Sequence, residues 1–335
     1  MLNIKRKLKF AVLGGLLTLF AMLPLLGISR FFLYLFSQTF IYIILALSLH
    51  IVAGLSGQFS LGHAAFLGLG AYTSPILTMR FGFPFWGGIC CSMVFCGFLG
   101  LFMGVSCLKV RGVYLALVTL GFGMILERLC MNLTGLTGGG LGIIDIPHLA
   151  FGQLKFSSEA SIFFLFVVIV YLVIYLSFNI RNSRMGRAFV TIRENEVAAA
   201  TMGVNISKYK VIAFLISGVF GGLAGGLFAH LKGYIDPSVF SIETSLLIFC
   251  MVIIGGMGSL PGAVIGAVLL SFLPEIVRPL AEYRMLIYGI LLIILIIFMP
   301  KGIISLIRKI PRFKIFWFLL GSAEKNVDKH NTVAP

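Results

Sequence analysis

The chain contains apolar stretches longer than the core elements of a soluble protein require. Residues 31–53 and 160–180 run for 23 and 21 residues without a single Asp, Glu, Lys or Arg. A helix of about 20 apolar residues crosses the hydrocarbon core of a bilayer. The strands of a membrane β-barrel alternate apolar and polar residues, and these stretches do not alternate. They therefore predict membrane-spanning helices and exclude a β-barrel.

Composition supports the same class of protein. Hydrophobic residues make up 59% of the 335 residues and charged residues 11%, whereas a soluble domain averages about 45–50% and about 25%. The polar surface is too small to cover a water-facing globule, which excludes a soluble enzyme and a disordered chain. The net charge of +15 is explained by orientation in a bilayer, because cytoplasmic loops collect Lys and Arg. We expect no nucleic-acid partner.

Hydropathy and helix-breaking residues predict about ten crossings. They lie at 9–28, 31–53, 60–79, 85–107, 113–131, 160–180, 210–231, 244–257, 261–278 and 285–305. The third is rich in glycine and polar residues and the eighth is short, so a broken or re-entrant helix is an alternative at either place. We expect an all-α, polytopic integral membrane protein of about eight to ten transmembrane helices. It forms a single transmembrane domain over 1–321, followed by a polar cytoplasmic tail at 322–335.

The distribution of charge predicts the orientation. With the N-terminus inside and ten alternating crossings, the inside segments hold 19 basic and four acidic residues, and the outside segments hold seven of each. Short cytoplasmic loops are enriched in Lys and Arg. We therefore expect both termini and the loop at 181–209 in the cytoplasm, and the loop at 132–159 outside.

A polar cluster interrupts the apolar pattern at 54–66. Gln58, Ser60 and His63 stand there among glycines. Such side chains are costly in a membrane unless they have partners, so they face a cavity or the interior of the bundle. They either line the translocation path or hydrogen-bond between helices, and the sequence leaves both alternatives open.

The inner loop carries a short helix signal. Glu196 to Met202 is alanine-rich and begins with an acid, which the helix dipole favours. Gly203 suits the position after the helix end, and Asn205 or Ser207 can cap the next helix. Small residues on a compact loop favour a docking surface, and an ordinary solvated loop is the alternative.

A second break lies at 255–262, where G-G-M-G-S-L-P-G predicts a kink, a re-entrant turn or a tight turn at the membrane surface. Motifs for chemistry are missing. The chain has no G-x-x-x-x-G-K-[ST] loop for ATP phosphates, no H-E-x-x-H and no G-x-S-x-G. The sequence predicts no catalytic residue, no metal site and no cofactor bound by the chain itself.

Five ordered blocks give the chain a family resemblance. They are S-G-Q-F-S-L-G-H-A-A-F at 56–66, T-G-G-G-L-G-I at 137–143, E-N-E-V-A-A-A-T-M-G-V-N at 194–205, G-G-L-A-G-G-L-F-A at 221–229 and G-G-M-G-S-L-P-G at 255–262. With them the sequence resembles the permease subunits of bacterial branched-chain amino acid ABC transporters, on the LivM-type side of the pair. The resemblance covers about 35–305. It departs from the family at Gly140-Leu141, where relatives commonly carry Pro and Asn.

The resemblance implies a function and partners. The chain would be a multi-pass permease of the bacterial inner membrane that translocates Leu, Ile or Val and is not itself an enzyme. A LivH-type paralogue would be the second permease subunit, two cytoplasmic ATPase subunits would bind the ATP, and a periplasmic binding protein would deliver the substrate. Lipid surrounds the pair.

Within the coupling loop at 181–209, the resemblance places Glu196, Ala198, Ala199 and Gly203 in a cleft of the ATPase. Two alternatives stay open. Close relatives carry urea or short amides, and an ATP-independent secondary transporter or channel would need buried ionisable groups for ion coupling.

Overall fold

A computed structural model describes most of the chain between Ser29 and Ile276. The described residues are 29–110, 112–147, 150–151, 154–155, 159–276, 286, 289–290 and 302–303. The span predicted at 9–28 and the tail at 322–335 lie outside them. Only isolated residues of the span predicted at 285–305 are described.

The described chain is built from helices. They are α1 (Arg30–Leu49, continued by a π-helical turn at His50–Leu55), α2 (His63–Arg80), α3 (Phe85–Ser106), α4 (Val113–Asn132), α5 (Thr134–Thr137), α6 (Glu159–Asn182), α7 (Arg184–Glu194), α8 (Glu196–Thr201), α9 (Ile206–Lys232), α10 (Ile242–Gly255) and α11 (Leu260–Ile276). Two 3-10 turns lie at Gly139–Leu141 and Pro237–Phe240, and β1 (Ala150–Phe151) pairs antiparallel with β2 (Leu154–Lys155).

The prediction of an all-α polytopic membrane protein is confirmed. Within the described residues, α1 with its π turn, α3, α4, α6 and α9 are long and apolar enough to cross a membrane. Helices α10 and α11 are apolar but shorter. The segment predicted at 60–79 becomes helical only from His63 onward.

Helix α9 lies at the centre of the bundle and packs along α3 and α2. Glycines allow the backbones to touch there. A Cβ on Gly218 would overlap with the carbonyl of Cys96 in α3, and one on Gly225 would overlap with the carbonyl of Leu67 in α2. Small residues at such crossings let membrane helices approach closely.

The predicted break at 255–262 is a short turn between α10 and α11. The turn is closed by the Ser259 N–H, which donates to the carbonyl of Gly256 at 3.0 Å. The two helices pack against each other. The other side of the bundle is formed by α1, which packs on α6, α9 and α11.

Candidate functional site

The first break in the bundle separates α1 from α2. We call residues 56–62 the connector. Flanking helices bind two of its backbone N–H groups: the Gln58 N–H donates to the carbonyl of Val52 at 3.0 Å, and the Leu61 N–H donates to Oγ1 of Thr119 in α4 at 3.0 Å. Just beyond the connector, the Ala64 N–H in the first turn of α2 donates to Oγ of Ser245 in α10 at 3.3 Å. Irregular backbone is tolerated in a membrane protein where protein satisfies its polar groups, and these bonds contribute to that.

Gln58 and Ser60 lie inside the chain. Their side chains are 5% and 1% exposed. Nε2 of Gln58 donates to Oγ of Ser56 at 2.7 Å, and that hydroxyl donates to the carbonyl of Val52 at 2.8 Å. The amide therefore ties the connector back to the end of α1.

His63 joins three helices. Its Nε2 forms a 2.8 Å hydrogen bond with Oγ of Ser217 in α9, and Ser48 of α1 reaches the same hydroxyl at 2.8 Å. Its Nδ1 lies 3.4 Å from Oγ of Ser60. For His63 the structure thus shows the interhelical hydrogen bonding that was one of the two alternatives, whereas Gln58 bonds Ser56 within the connector. That Gln58, Ser60 and His63 also line the path stays a prediction.

The second part of the site is the cytoplasmic loop predicted at 181–209. A side-chain oxygen caps the N-terminus of each of its helices. Ser183 accepts from the Gly186 N–H at 3.2 Å, Asn195 accepts from the N–H groups of Val197 and Ala198 at 2.9 and 3.1 Å, and Asn205 accepts from Lys208 at 3.0 Å. Of the two predicted candidates, Asn205 and not Ser207 therefore caps α9.

Glu196 begins α8 and is tied to the bundle. Its carboxylate accepts a hydrogen bond from Nζ of Lys210 in α9 at 2.5 Å, with the Lys210 side chain 7% exposed. Such a half-buried charge pair is stronger than a surface pair because water screens it less. The pair fixes the position of α8 relative to α9.

Gly203 ends α8 as predicted. Its φ is +79°. Its N–H donates to Ala200 and the Val204 N–H donates to Ala199, both at 3.0 Å, which is the Schellman pattern of a helix C-terminus. The loop therefore has a defined shape at both ends of α8.

The small residues of α8 do not form one exposed face, as the sequence predicted, because their exposure differs. Ala198 is exposed, whereas Ala199 is fully buried against the chain itself. The sequence-based interpretation missed two exposed apolar side chains, Val197 and Met202, which are 72% and 78% exposed. Both stand in the quoted block at 194–205, but a six-residue helix is too short for its periodicity to show which face is outward.

Arg193 is a further functional candidate that the sequence-based interpretation did not single out. It lies in the last turn of α7, and its Nη1 donates to the carbonyl of Gly54 at 2.6 Å. It connects the cytoplasmic loop with the end of α1. The only available signal was its place beside the block at 194–205.

The opposite end of the bundle holds a cavity of about 350 Å³. It is lined by Pro75, Ile76, Met79, Arg80, Leu136, Gly138, Gly142, Ile143 and Ile144. Beside it, Ile143 exchanges two backbone hydrogen bonds with Ile235, at 2.8 and 2.9 Å. The T-G-G-G-L-G-I block therefore lines one side of a half-open, mainly apolar cavity that also contains the guanidinium of Arg80.

Comparison with known proteins identifies the family. The model of the branched-chain amino acid transport system permease component matches residues 31–296. The chain belongs to this family. It is a multi-pass inner membrane permease subunit.

Named relatives of the permease cover most of its length. It is 37% identical over 300 residues to LivM of Escherichia coli K12, the high-affinity branched-chain amino acid transport system permease protein, covering 83% of this chain and 70% of that protein. It is 28% identical over 309 residues to LivH of Salmonella typhimurium, covering 83% and 97%. It is 27% identical over 275 residues to LsrC, an autoinducer 2 import system permease protein of Yersinia pseudotuberculosis, covering 77% and 74%. No solved structure matches the chain.

Proposed function

We propose that this permease is the LivM-type half of an ATP-driven importer of Leu, Ile and Val. A LivH-type subunit completes the membrane pair, two cytoplasmic ATPases bind and hydrolyse the ATP, and a periplasmic binding protein hands over the amino acid. The 37% identity to a LivM protein over 300 residues supports the substrate class. The ATP-independent alternative has no such support, and the urea alternative is not among the named relatives.

The observation that carries the ATP-driven mechanism is the shape of the loop around α8. Val197 and Met202 project from a short helix whose two ends are capped and whose first residue is paired with Lys210. Exposed apolar side chains on a fixed backbone suit burial in a partner. The partner we propose is the ATPase.

The translocation path in this proposal runs beside the connector. Phe59 is 41% exposed, whereas Gln58 and Ser60 on either side are buried. In this proposal Phe59 faces the path, and the buried Gln58 and Ser60 form the layer behind it. A phenyl surface suits the apolar side chains of branched amino acids better than it suits urea.

The test is reconstitution of the permease with its three kinds of partner in vesicles. ATP-dependent uptake of Leu, Ile or Val that requires the binding protein supports the proposal. Uptake of urea but of none of these amino acids contradicts the substrate. Uptake that follows an ion gradient without ATP contradicts the mechanism.

Docking at α8 is tested separately by co-purification of the ATPase. Met202→Asp places a charge in the proposed contact, and a residue that dominates an interface contributes about 2 kcal/mol or more, so ATPase recovery should fall. Leu141→Asp, at a side chain 83% exposed on the other end of the bundle, is the matched control. Equal recovery with both variants would place the ATPase elsewhere.

Orientation is tested on the same two positions. In a cysteine-free background, a periplasmic thiol reagent should label a cysteine at Leu141 and not one at Met202. The reverse pattern would invert the orientation derived from the charge distribution.

A further inference from the structure

The side chain of Arg193 joins the cytoplasmic loop to the first break in the bundle. Its Nη1 donates to the carbonyl of Gly54 at 2.6 Å, across 139 residues of sequence. Gly54 lies in the π-helical turn that ends α1. Carbonyls at a helix end carry the negative pole of the helix dipole and lack partners within the helix. A guanidinium there forms a charge-assisted hydrogen bond.

The same side chain also contacts the second break. A Cβ added at Gly57 would lie 2.9 Å from Cγ of Arg193, and one added at Gly258 would lie 3.0 Å from its Nη1. The two breaks also contact each other, because a Cβ on Gly54 would overlap with the carbonyl oxygen of Met257. Arg193 thus lies where the connector meets the turn between α10 and α11.

On the cytoplasmic side, Arg193 is held in a fixed position relative to α8. Only Glu194 separates it from Asn195, which caps α8. Helix α7 packs on the bundle through Phe189 and Ile192, which are 0% and 2% exposed. The Phe189 ring is edge-on to the ring of Tyr209 in α9, with 6.0 Å between the ring centroids. A displacement of α8 therefore displaces the guanidinium as well.

We propose that Arg193 is the positioning residue that transmits the movement of the ATPase-bound α8 to the two breaks in the membrane helices. The inference rests on the proposed function. It assigns one side chain to the step between the docking surface and the path. Energetic coupling between distant sites is carried through contiguous packed contacts, and the contacts of Arg193 with Gly54, Gly57 and Gly258 are contiguous.

Arginine suits this role better than lysine. Its planar fork has five N–H donors, so it can exchange one carbonyl for another as α7 moves, and the carbonyl oxygen of Met257 lies beside the Cα of Gly54. A lysine ammonium keeps the charge but presents a point charge on a flexible stem. A residue that merely anchors the loop would tolerate replacement of Arg193 by lysine. A residue that transmits movement to the two breaks needs the several N–H donors of the guanidinium.

The experiment compares three variants in the reconstituted complex. Arg193→Gln removes the charge, Arg193→Lys keeps it, and Arg187→Gln removes an equal charge from the same helix. Arg187 is the matched control because its Nη1 donates to the carbonyl of Asn182, five residues before it in sequence, at 3.3 Å. The readout is the amount of substrate taken up per ATP hydrolysed, measured after confirming that the ATPase remains bound.

We expect Arg193→Gln to retain the ATPase and lower the uptake per ATP by about fivefold or more, the lower end of the usual range of coupling between sites. Arg193→Lys should fall between this variant and the wild type, and Arg187→Gln should match the wild type. A wild-type ratio in Arg193→Gln overturns the inference. So does loss of the ATPase from the Arg193→Gln complex, because Arg193 would then hold the docking surface.

A second readout needs no substrate. Amide hydrogen exchange of residues 54–62 and 256–259 is followed in the permease with and without the ATPase. Binding of the ATPase should change protection of both segments in the wild type and in Arg187→Gln, and not in Arg193→Gln. Equal changes in all three overturn the inference. Failure of the wild type to take up any branched-chain amino acid would contradict the proposed substrate and leave this readout intact.

Discussion

The two ends of the bundle both contain glycine-rich, non-helical chain, but they are held in different ways. At the end that the charge distribution predicts to face outside, called the outer end, residues 142–146 are joined to 233–235 by backbone hydrogen bonds: two between Ile143 and Ile235, and one from the Ile146 N–H to the carbonyl of Gly233 at 2.9 Å. At the end predicted to face the cytoplasm, called the inner end, a side chain from another segment, Arg193, reaches the carbonyl of Gly54.

This difference separates a fixed end from an adjustable one. Backbone pairs have one register, and a change of register breaks several bonds together. A long side chain can follow a moving helix or change its acceptor without refolding either segment. An importer driven from the cytoplasm needs its adjustable contacts at the inner end, where the proposed ATPase surface lies.

The largest expected effect on stability comes from a substitution that disrupts the backbone hydrogen bonds of the outer end. Gly142 has a φ of +73°, and a Cβ there would overlap with the carbonyl oxygen of Ile235. Gly142 has a ψ of −155°, a backbone region that is essentially restricted to glycine, so Gly142→Ala should combine strain of about 1–3 kcal/mol with the loss of at least one hydrogen bond of about 0.5–1.5 kcal/mol. The free energy of unfolding in detergent should fall by roughly 2–4 kcal/mol.

Gly140→Ala is the control for that measurement. Its Cβ would meet nothing within 4 Å and its φ is not positive. Two variants of equal stability would mean that the outer end is not fixed by its backbone.

A smaller effect is expected at the inner loop. Gly203 has a similar φ of +79°, but a Cβ there would meet nothing within 4 Å. Gly203→Ala should cost only the strain, about 1–2 kcal/mol, and Gly203→Val should cost more because it is β-branched. The measurement is again unfolding in detergent. A cost equal to that of Gly142→Ala would remove the distinction between an adjustable and a fixed end.

The smallest effect concerns two buried histidines. His63 bonds Ser217 at 2.8 Å near the connector, and His230 bonds Ser74 at 3.0 Å near the outer loop. Because each pair joins two membrane helices, double-mutant cycles to alanine should give about 0.6–1.7 kcal/mol for each. Similar values would show that the ends differ in backbone and not in histidine contacts. A value for the inner pair far above the outer one would locate the difference in the side chains.

The sequence predicts local features better than distant contacts. The start of α8 at Glu196 and its end before Gly203 follow from residue types within a few positions of one another. The same signals narrowed the cap of α9 to Asn205 or Ser207, and the structure decides for Asn205. The need of His63 for a partner follows from its apolar surroundings. Its partner Ser217 does not, because it lies 154 residues away.

Two other features could not be predicted for physical reasons. Burial of Ala199 depends on how α8 leans on α7 and α9, and alanine is equally common on either face of a helix. The Arg193–Gly54 bond depends on the end of α1 meeting the end of α7. An arginine in a basic loop gives no sign of such a contact, since most such residues are solvated.

Helix α9 also sets the mechanical behaviour of the molecule. It is one helix of 27 residues, about 40 Å long. Lys210 near its inner end is tied to α8, and His230 near its outer end is bonded to Ser74 and to the carbonyl of Pro147. A rigid tilt of this helix by about 5° moves one end by roughly 3.5 Å relative to the other. A displacement of α8 that tilts α9 would therefore also shift the contacts that His230 makes at the opposite end of the bundle.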